Sequence, residues 1–335
     1  MEKSIVSVII PTFNSEKTII RCLNSILNQT ISNYHIYIVD DGSTDGTIDI
    51  LKKYEKSAKI NIIYKNNEGV SVARNVALNR VNTKYVTFLD SDDYVNKKYL
   101  QDMISGFAFD DIDLVISGRV YLQDDLSVQF KTNFVPHIYN SIDGINLLLN
   151  EQGPQGYVTS KLFKTEIVKK FNLSFSRELR MGEDLTFCIQ YILHSQKINL
   201  ISANNYNYIQ YKNSLSHSAT VYNRNANFDI AYLNYLNMAI NLKKIIPMDI
   251  KYKTCKVNIN ARTARISEDF LRTMYLNKNN VPVNKSLEKN LKNIMKENSR
   301  DLYISTVINN SQKLYFWMFI HCPFLMKMID RKRFR

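Results

Sequence analysis

Cysteine is scarce and widely spaced in this chain: Cys22, Cys188, Cys255 and Cys322 form no CxxC pair. That spacing excludes a sulfur-based metal site and reads as ordinary thiols in a reducing compartment rather than a disulfide framework. Zinc-finger spacing and an aromatic RNA-binding signature are both missing, so nucleic acid is not expected as a partner. The start, MEKSIVSVIIPTFN, has no basic region followed by a long apolar core, and its apolar run is strand-sized. No signal peptide is expected from it, and the expected location is the cytoplasm.

What is present is a chain of 335 residues, 45% of them hydrophobic, which suffices for one large domain or two modest ones. Its formal charge of +13 is uneven: residues 1–150 hold 15 Lys/Arg against 18 Asp/Glu, and residues 151–335 hold 29 against 13. With nucleic acid set aside, the basic half points to an anionic membrane surface or a phosphorylated substrate.

The apolar pattern places elements along the first half. IVSVIIPT (5–12) is a buried strand stopped by Pro11, and Ile19, Ile20, Leu23, Ile26 and Leu27 follow at helical spacing. YHIYIVD (34–40), INIIY (60–64) and KYVTFLD (84–90) are three more strands, with short helices after the DGSTDG and NNEG turns. Strands alternating with helices at this pitch predict βαβ units, a parallel sheet covered on both faces, and a ligand crevice at the strand C-termini. After residue 110 the pattern changes: DIDLVISG, RVYLQ and LSVQF read as strands, the last two joined by a hairpin at Asp124 and Asp125. MGEDLTFCIQYILHS (181–195) reads as a helix entered through acids, and the chain from about residue 222 is helical, Asn- and Lys-rich.

Three loops carry the polar residues that such a crevice needs. Asp90 and Asp92 flank Ser91 at the end of the fourth strand, and two carboxylates there suit a hard divalent cation, Mg²⁺ or Mn²⁺, that keeps positions open for diphosphate oxygens. The turn Asp40-Asp41-Gly42-Ser43-Thr44-Asp45 offers carboxylates to a base N–H or a ribose hydroxyl. Asn66-Asn67-Glu68-Gly69 leads to Arg74 and Asn75 on a helix, where a guanidinium can reach a base carbonyl or a phosphate. Each is also ordinary turn or cap chemistry when taken singly. Their recurrence at successive strand ends describes a nucleotide-diphosphate site.

The blocks VSVIIPTFNSEKTIIRCLNSILNQT, IYIVDDGSTDGT, NNEGVSVARNVAL, KYVTFLDSDDYV and GEDLTF together resemble the inverting GT-A glycosyltransferases of glycosyltransferase family 2, over about residues 1–220. The resemblance implies an α/β GT-A fold, with a mostly parallel, Rossmann-like sheet flanked by helices and a mainly α-helical C-terminal region. It also implies a nucleotide-sugar donor, usually a UDP-sugar, a Mn²⁺ or Mg²⁺ cofactor, and inversion at an acceptor hydroxyl. Carried onto this chain, Thr12 and Asn14 belong to the donor pocket, Asp41 is the uracil or ribose contact and Asp40 its companion. Arg74 faces the base, Asp90 the ribose and metal shell, and Asp92 the metal, with Asp93 supporting. Asp184 is the general base, with Glu183 positioning the acceptor or the base. YNYIQYKNSLSHS (206–218) resembles a segment that closes over the donor phosphates, with Lys212, Ser216 and His217 as candidates. The QxxRW block of processive members is missing, which implies transfer of a single sugar.

The expected domains are a catalytic region at 1–221, with donor binding in 1–110 and acceptor and base parts in 111–221, and a basic helical region at 222–335. Within the latter, 313–335 is apolar, aromatic and then basic, ending KLYFWMFIHCPFLMKMIDRKRFR. Its apolar run from Leu314 to Met326, interrupted by His321 and Pro323, is too short for a spanning helix, and the segment fits an interfacial anchor on anionic lipid, packing on the core, or a homo-oligomer seam. A glycan or lipid-linked acceptor at the cytoplasmic leaflet would match the membrane alternative. Two rivals are a nucleotide-sugar-forming nucleotidyltransferase, whose Gly-rich phosphate loop PTFNSEK lacks, and a non-catalytic glycan-binding module.

Overall fold

A computed structural model of the chain describes residues 4–211, 228–276, 285–322 and 326. The first strand, β1 (Val6–Thr12), is buried at every position, as an apolar run in the middle of a doubly covered sheet must be. Helix α1 (Ile19–Leu27) buries Ile19, Cys22, Leu23 and Ile26, the i, i+3, i+4, i+7 stripe that its sequence spacing requires. Then follow β2 (Tyr34–Asp40), α2 (Thr47–Lys52), β3 (Ile60–Tyr64), α3 (Val70–Leu78) and β4 (Tyr85–Phe88). β1 pairs in parallel with β2 and β4, and β2 with β3. Thr12 lies opposite Asp40 and Ile9 opposite Phe88, so the loops leaving β1, β2 and β4 open along one edge.

The next elements are β5 (Tyr94–Val95), α4 (Tyr99–Ser105), β6 (Ile112–Ile116), β7 (Arg119–Gln123), β8 (Val128–Lys131), β9 (His137–Asn140) and α5 (Ser141–Leu149). After them come β10 (Lys161–Lys164), α6 (Thr165–Lys170), α7 (Glu183–Leu193), β11 (Lys197–Leu200) and β12 (Tyr206–Gln210). The large sheet has eight strands in the order β3-β2-β1-β4-β10-β6-β11-β9. It is parallel through its first four strands and mixed beyond them, because β10 runs antiparallel to both β4 and β6. A second sheet, β5-β12-β7-β8, has four. Residues 206–210, read from sequence as the start of a phosphate-covering segment, are instead a strand of this sheet, since the buried Tyr206 and Asn207 pair with Arg119 and Val120 of β7. Lys212, Ser216 and His217 lie outside the described residues.

The chain divides into two compact units, Met1–Gly144 with Gly156–Lys212, and Ile145–Gln155 with Asn213–Arg335. In the second, α8 (Phe228–Ile245), α9 (Lys253–Leu276), α10 (Lys285–Ile304) and α11 (Asn310–His321) are all helical. A reciprocal cap starts α11: Asn309 Oδ1 accepts from the Gln312 N–H at 2.8 Å, and the Asn309 N–H donates to Gln312 Oε1 at 3.0 Å. Phe316 of α11 is buried, whereas Leu314, Trp317 and Ile320 are exposed. Arg331, Lys332, Arg333 and Arg335 lie outside the described residues. Among the described residues, no helix is long and apolar enough to cross a membrane.

Beneath the strand edge, an aromatic cluster fixes the end of β4. Phe88 meets Phe163 of β10, Phe175 and Phe187 of α7 edge-on at 6.0, 5.3 and 6.1 Å, and Phe175 stacks on Phe187 at 4.2 Å. The cluster thus ties the acidic loop after β4 to the start of α7. Phe88→Ala leaves a void that these rings cannot close, and an equilibrium urea titration is expected to show a loss of about 3–5 kcal/mol.

Candidate active site

The three loops predicted from the sequence converge at the edge of the large sheet. At the end of β1, Thr12 is buried and its hydroxyl has no hydrogen-bond partner; opposite it, Asp40 accepts from the Ser43 N–H at 3.1 Å through Oδ2 and leaves a buried Oδ1 unpartnered. Buried polar atoms without partners are costly, and here they mark where a ligand's donors would fit. Asn14 adopts a left-handed φ of 50°, which Asn tolerates. Its N–H donates to Ser43 Oγ at 2.9 Å, and its Oδ1 accepts from the Thr44 N–H at 2.8 Å, stitching the first loop to the second.

Asp41 serves the third loop. Its Oδ1 accepts from Lys65 Nζ at 2.5 Å and from the Glu68 N–H at 3.0 Å, and its Oδ2 accepts from the Gly69 N–H at 2.7 Å. Gly42 makes this approach feasible: its φ is +78°, and an added Cβ would lie 2.8 Å from the Asn67 nitrogen. The arrangement sets the start of α3, and hence Arg74.

Arg74 is buried and joins the two acidic clusters. Its NH1 donates to Asp184 Oδ1 at 2.6 Å and Glu183 Oε1 at 3.4 Å, and its NH2 donates to Asp90 Oδ1 at 3.1 Å. The guanidinium lies 5.4 Å from the centre of the Phe175 ring, so the aromatic cluster positions the cation as well as the strand end. Asp184 is held on both sides, because its Oδ2 accepts from the Val158 N–H at 3.0 Å. The contact of Glu183 with Arg74 is longer, at 3.4 Å. Burial, and then the charge of Asp184, raise the Glu183 carboxyl to about 7, Arg74 acting in the opposite direction.

The residues of the Asp90-Ser91-Asp92-Asp93 loop diverge. Asp93 is fully buried and structural: Tyr206 donates its hydroxyl to Oδ2 at 2.7 Å and the Ile209 N–H donates to Oδ1 at 2.9 Å, anchoring the loop to β12. Ser91 exchanges a hydroxyl hydrogen bond with Ser15 at 2.8 Å. Arg21 NH2 donates to the Asp92 carbonyl at 2.6 Å and to the Tyr211 hydroxyl at 2.7 Å. The Asp92 carboxyl is pushed up to about 6 by burial and then by Asp90, so negative charge is concentrated where little compensates it. Among the described residues no group of three or more His, Cys, Asp or Glu is placed to hold a metal ion by itself. The donor set is two hard carboxylates from one loop, which fits Mg²⁺ or Mn²⁺ with the remaining positions filled by phosphate oxygens and water.

Several contributors carried no sequence signal. Arg21, which holds the Asp92 carbonyl, and Lys65, which bonds Asp41, are two of them. Segment 157–161 beside Asp184 is fastened by two buried cations: Arg119 donates to Ser160 Oγ at 2.6 Å and to the Thr159 carbonyl at 2.8 Å, and Lys161 Nζ donates to the Tyr157 carbonyl at 2.5 Å. Burial lowers the Lys161 ammonium to about 8. Only coupled variation between residues 119 and 157–161 could have exposed that arrangement.

The raised carboxyl of Asp92 has a stability consequence. Its folded pKa of about 6 exceeds the unfolded value of 3.8, so the native state holds the extra proton between them. Without divalent ion, wild-type stability therefore falls as pH rises from about 4 to about 6. Asp92→Asn is expected to raise the thermal midpoint at pH 8 and to leave it nearly unchanged at pH 4, by melting curves in EDTA.

Comparison with known proteins bears on the family and the fold. The model of the family described as "Glycosyl transferase family 2" matches residues 7–171. The poly(ribitol-phosphate) beta-N-acetylglucosaminyltransferase TarS of Staphylococcus aureus is 32% identical over 212 residues, which are 60% of this chain and 35% of that protein. The uncharacterized glycosyltransferase EpsJ of Bacillus subtilis is 29% identical over 220 residues, 63% of each chain. The chain thus spans about a third to under two thirds of these relatives. Among solved structures, S. aureus TarS 1–349 in complex with UDP-GlcNAc superposes with a TM-score of 0.60 at 21% identity, covering 89% of both chains. A Pyrobaculum calidifontis mannosyltransferase in complex with GDP-Man and Mn²⁺ does so at 0.54 and 13% identity, covering 90% and 85%. The architecture is the GT-A fold with a C-terminal helical region, and through residues 7–171 the chain belongs to glycosyl transferase family 2.

Proposed function

We propose that the protein is an inverting, metal-dependent glycosyltransferase that moves one hexosyl or N-acetylhexosaminyl unit from a nucleotide-diphosphate sugar, in first place a UDP-sugar, to an acceptor hydroxyl. The observation that carries this reading is the Arg74 junction, which sets a diphosphate-side carboxylate, Asp90, beside a proton-accepting pair, Glu183 and Asp184. Displacement at an anomeric carbon needs a base on one side and charge neutralisation at the departing diphosphate on the other. Asp90 and Asp92 would hold the divalent ion, which supplies that neutralisation when bound. Thr12, Asn14, Asp40 and Asp41 line and shape the nucleotide pocket, and Lys212 and His217 remain candidates for covering the phosphates. TarS, named for a poly(ribitol-phosphate) acceptor, favours a cell-surface glycan polymer, and the basic C-terminal region favours a lipid-linked acceptor at an anionic membrane face.

Asp184 serves as the general base, oriented by Arg74 and the Val158 N–H at the start of α7. A specific observation favours the exchanged roles. Both Asp184 oxygens already accept strong hydrogen bonds, whereas Glu183 titrates at about 7, close to the ideal for a base at neutral pH.

Purified protein is incubated with UDP-, GDP- and dTDP-sugars and Mn²⁺, and nucleotide release is followed. Release from one donor, abolished by EDTA and reduced at least about 100-fold in both Asp92→Ala and Asp184→Ala, is the expected result. Absence of both donor turnover and metal-dependent donor binding would contradict the reading. The pH profile then tests the exchanged roles: with Glu183 as the base, the acidic limb near pH 7 disappears in Glu183→Gln, and an unchanged limb removes Glu183 from that role.

A further inference from the structure

The second sheet presents a face that the donor chemistry leaves unused. Strand residues two apart share a face, and register pairs Arg119 of β7 with Tyr206 of β12, Tyr121 with Tyr208, and Gln123 with Gln210. Tyr121 also pairs with Phe130 of β8. The face therefore has three successive rows. The inner row, Tyr206 and Arg119, belongs to the active site: Tyr206 bonds Asp93, and Arg119 fastens the segment whose Val158 N–H holds Asp184.

The middle row is aromatic. Phe130 stacks on Tyr121 at 4.1 Å with planes 13° apart, and Tyr208 meets Tyr121 edge-on at 5.5 Å. Phe130 is 48% exposed although it lies in a strand, and Tyr157, whose ring covers Arg119 at 4.5 Å, is 38% exposed. The outer row consists of two amides. A pyranose has the matching anatomy, with a flat C–H face that packs on an aromatic ring and a rim of hydroxyls that amides can bond.

We infer that this face is a saccharide-binding platform that holds the acceptor glycan, with sugar rings packed on the exposed Phe130 and Tyr157 and the hydroxyl to be glycosylated directed toward the Glu183–Asp184 pair. The occupant is a pyranose oligosaccharide because the row of rings is continuous with the residues that orient the base and is edged by neutral amides. An anionic polymer would call for cations in the outer row. The inference rests on the glycosyltransferase reading for the acceptor role of the face, but not for its sugar binding.

The test is calorimetric titration of the full chain with glucose, galactose and N-acetylglucosamine oligomers of one to four units, beside Phe130→Ala and Gln123→Ala. Both side chains are exposed, Phe130 on the edge strand β8 and Gln123 at the end of β7, and melting curves confirm folding. At least one series is expected to bind more tightly as units are added and to weaken about tenfold in Phe130→Ala. Equal binding in wild type and both variants, or no binding in any series, overturns the inference. So does a Phe130→Ala change confined to sedimentation, which assigns the face to pairing between copies along β8. Nucleotide release by the wild type is measured in parallel. Phe130-dependent saccharide binding without donor turnover keeps the platform and removes the enzyme reading, and turnover without such binding removes the platform alone.

Discussion

One buried guanidinium in contact with three carboxylates organises the catalytic unit. Arg74 comes from α3, Asp90 from the loop after β4, and Glu183 and Asp184 from the first turn of α7. Burying such a group costs several kcal/mol in desolvation, and breaking a buried pair typically loses about 3–5 kcal/mol because the remaining charge is stranded. Three separately folded elements are thereby made interdependent. The surrounding structure serves this junction: Phe175 lies against the guanidinium, the Phe88 cluster fixes the strand end, and Asp41 pins the loop that starts α3.

A second constraint acts from the other sheet. Asp93 is immobilised by Tyr206 and the Ile209 N–H, while Arg21 holds the Asp92 carbonyl, so the acidic loop is suspended between α1 and β12. Adjacent acids in one sequence motif thus have opposite tasks. Asp93 is fully buried with both oxygens bonded, and Asp92 is the acid proposed to hold the divalent ion. The same sheet continues outward as the aromatic face, so the loop proposed to face the donor and the surface proposed for the acceptor share a framework.

Much of this was legible in the chain. Apolar runs at 5–12, 34–40, 60–64 and 84–90 could only be buried strands, and the polar residues immediately after them had to meet at one edge. The partners of Arg74 were not legible, since Glu183 and Asp184 are more than 100 positions away and nothing local couples them. Sequence reading turned Arg74 toward a nucleobase, whereas the structure points it at carboxylates. β12 was missed because five residues alternating weakly between Tyr, Asn and Ile carry little period-two signal, and its strand identity comes from pairing with β7. Lys161 and Arg119 were missed because a cation amid apolar residues looks like a surface position until its carbonyl partners are in place.

The most direct measurement is turnover by Arg74→Lys. An ammonium keeps the charge but cannot donate to Asp90, Asp184 and Glu183 together. Metal-dependent nucleotide release is expected to fall by about 100-fold or more while the protein remains folded, because misplacement of a catalytic carboxylate by about 1 Å has that effect. If the lysine variant retains most of the wild-type rate, charge alone suffices, and the account in which the guanidinium fork joins the donor and acceptor halves of the site is contradicted.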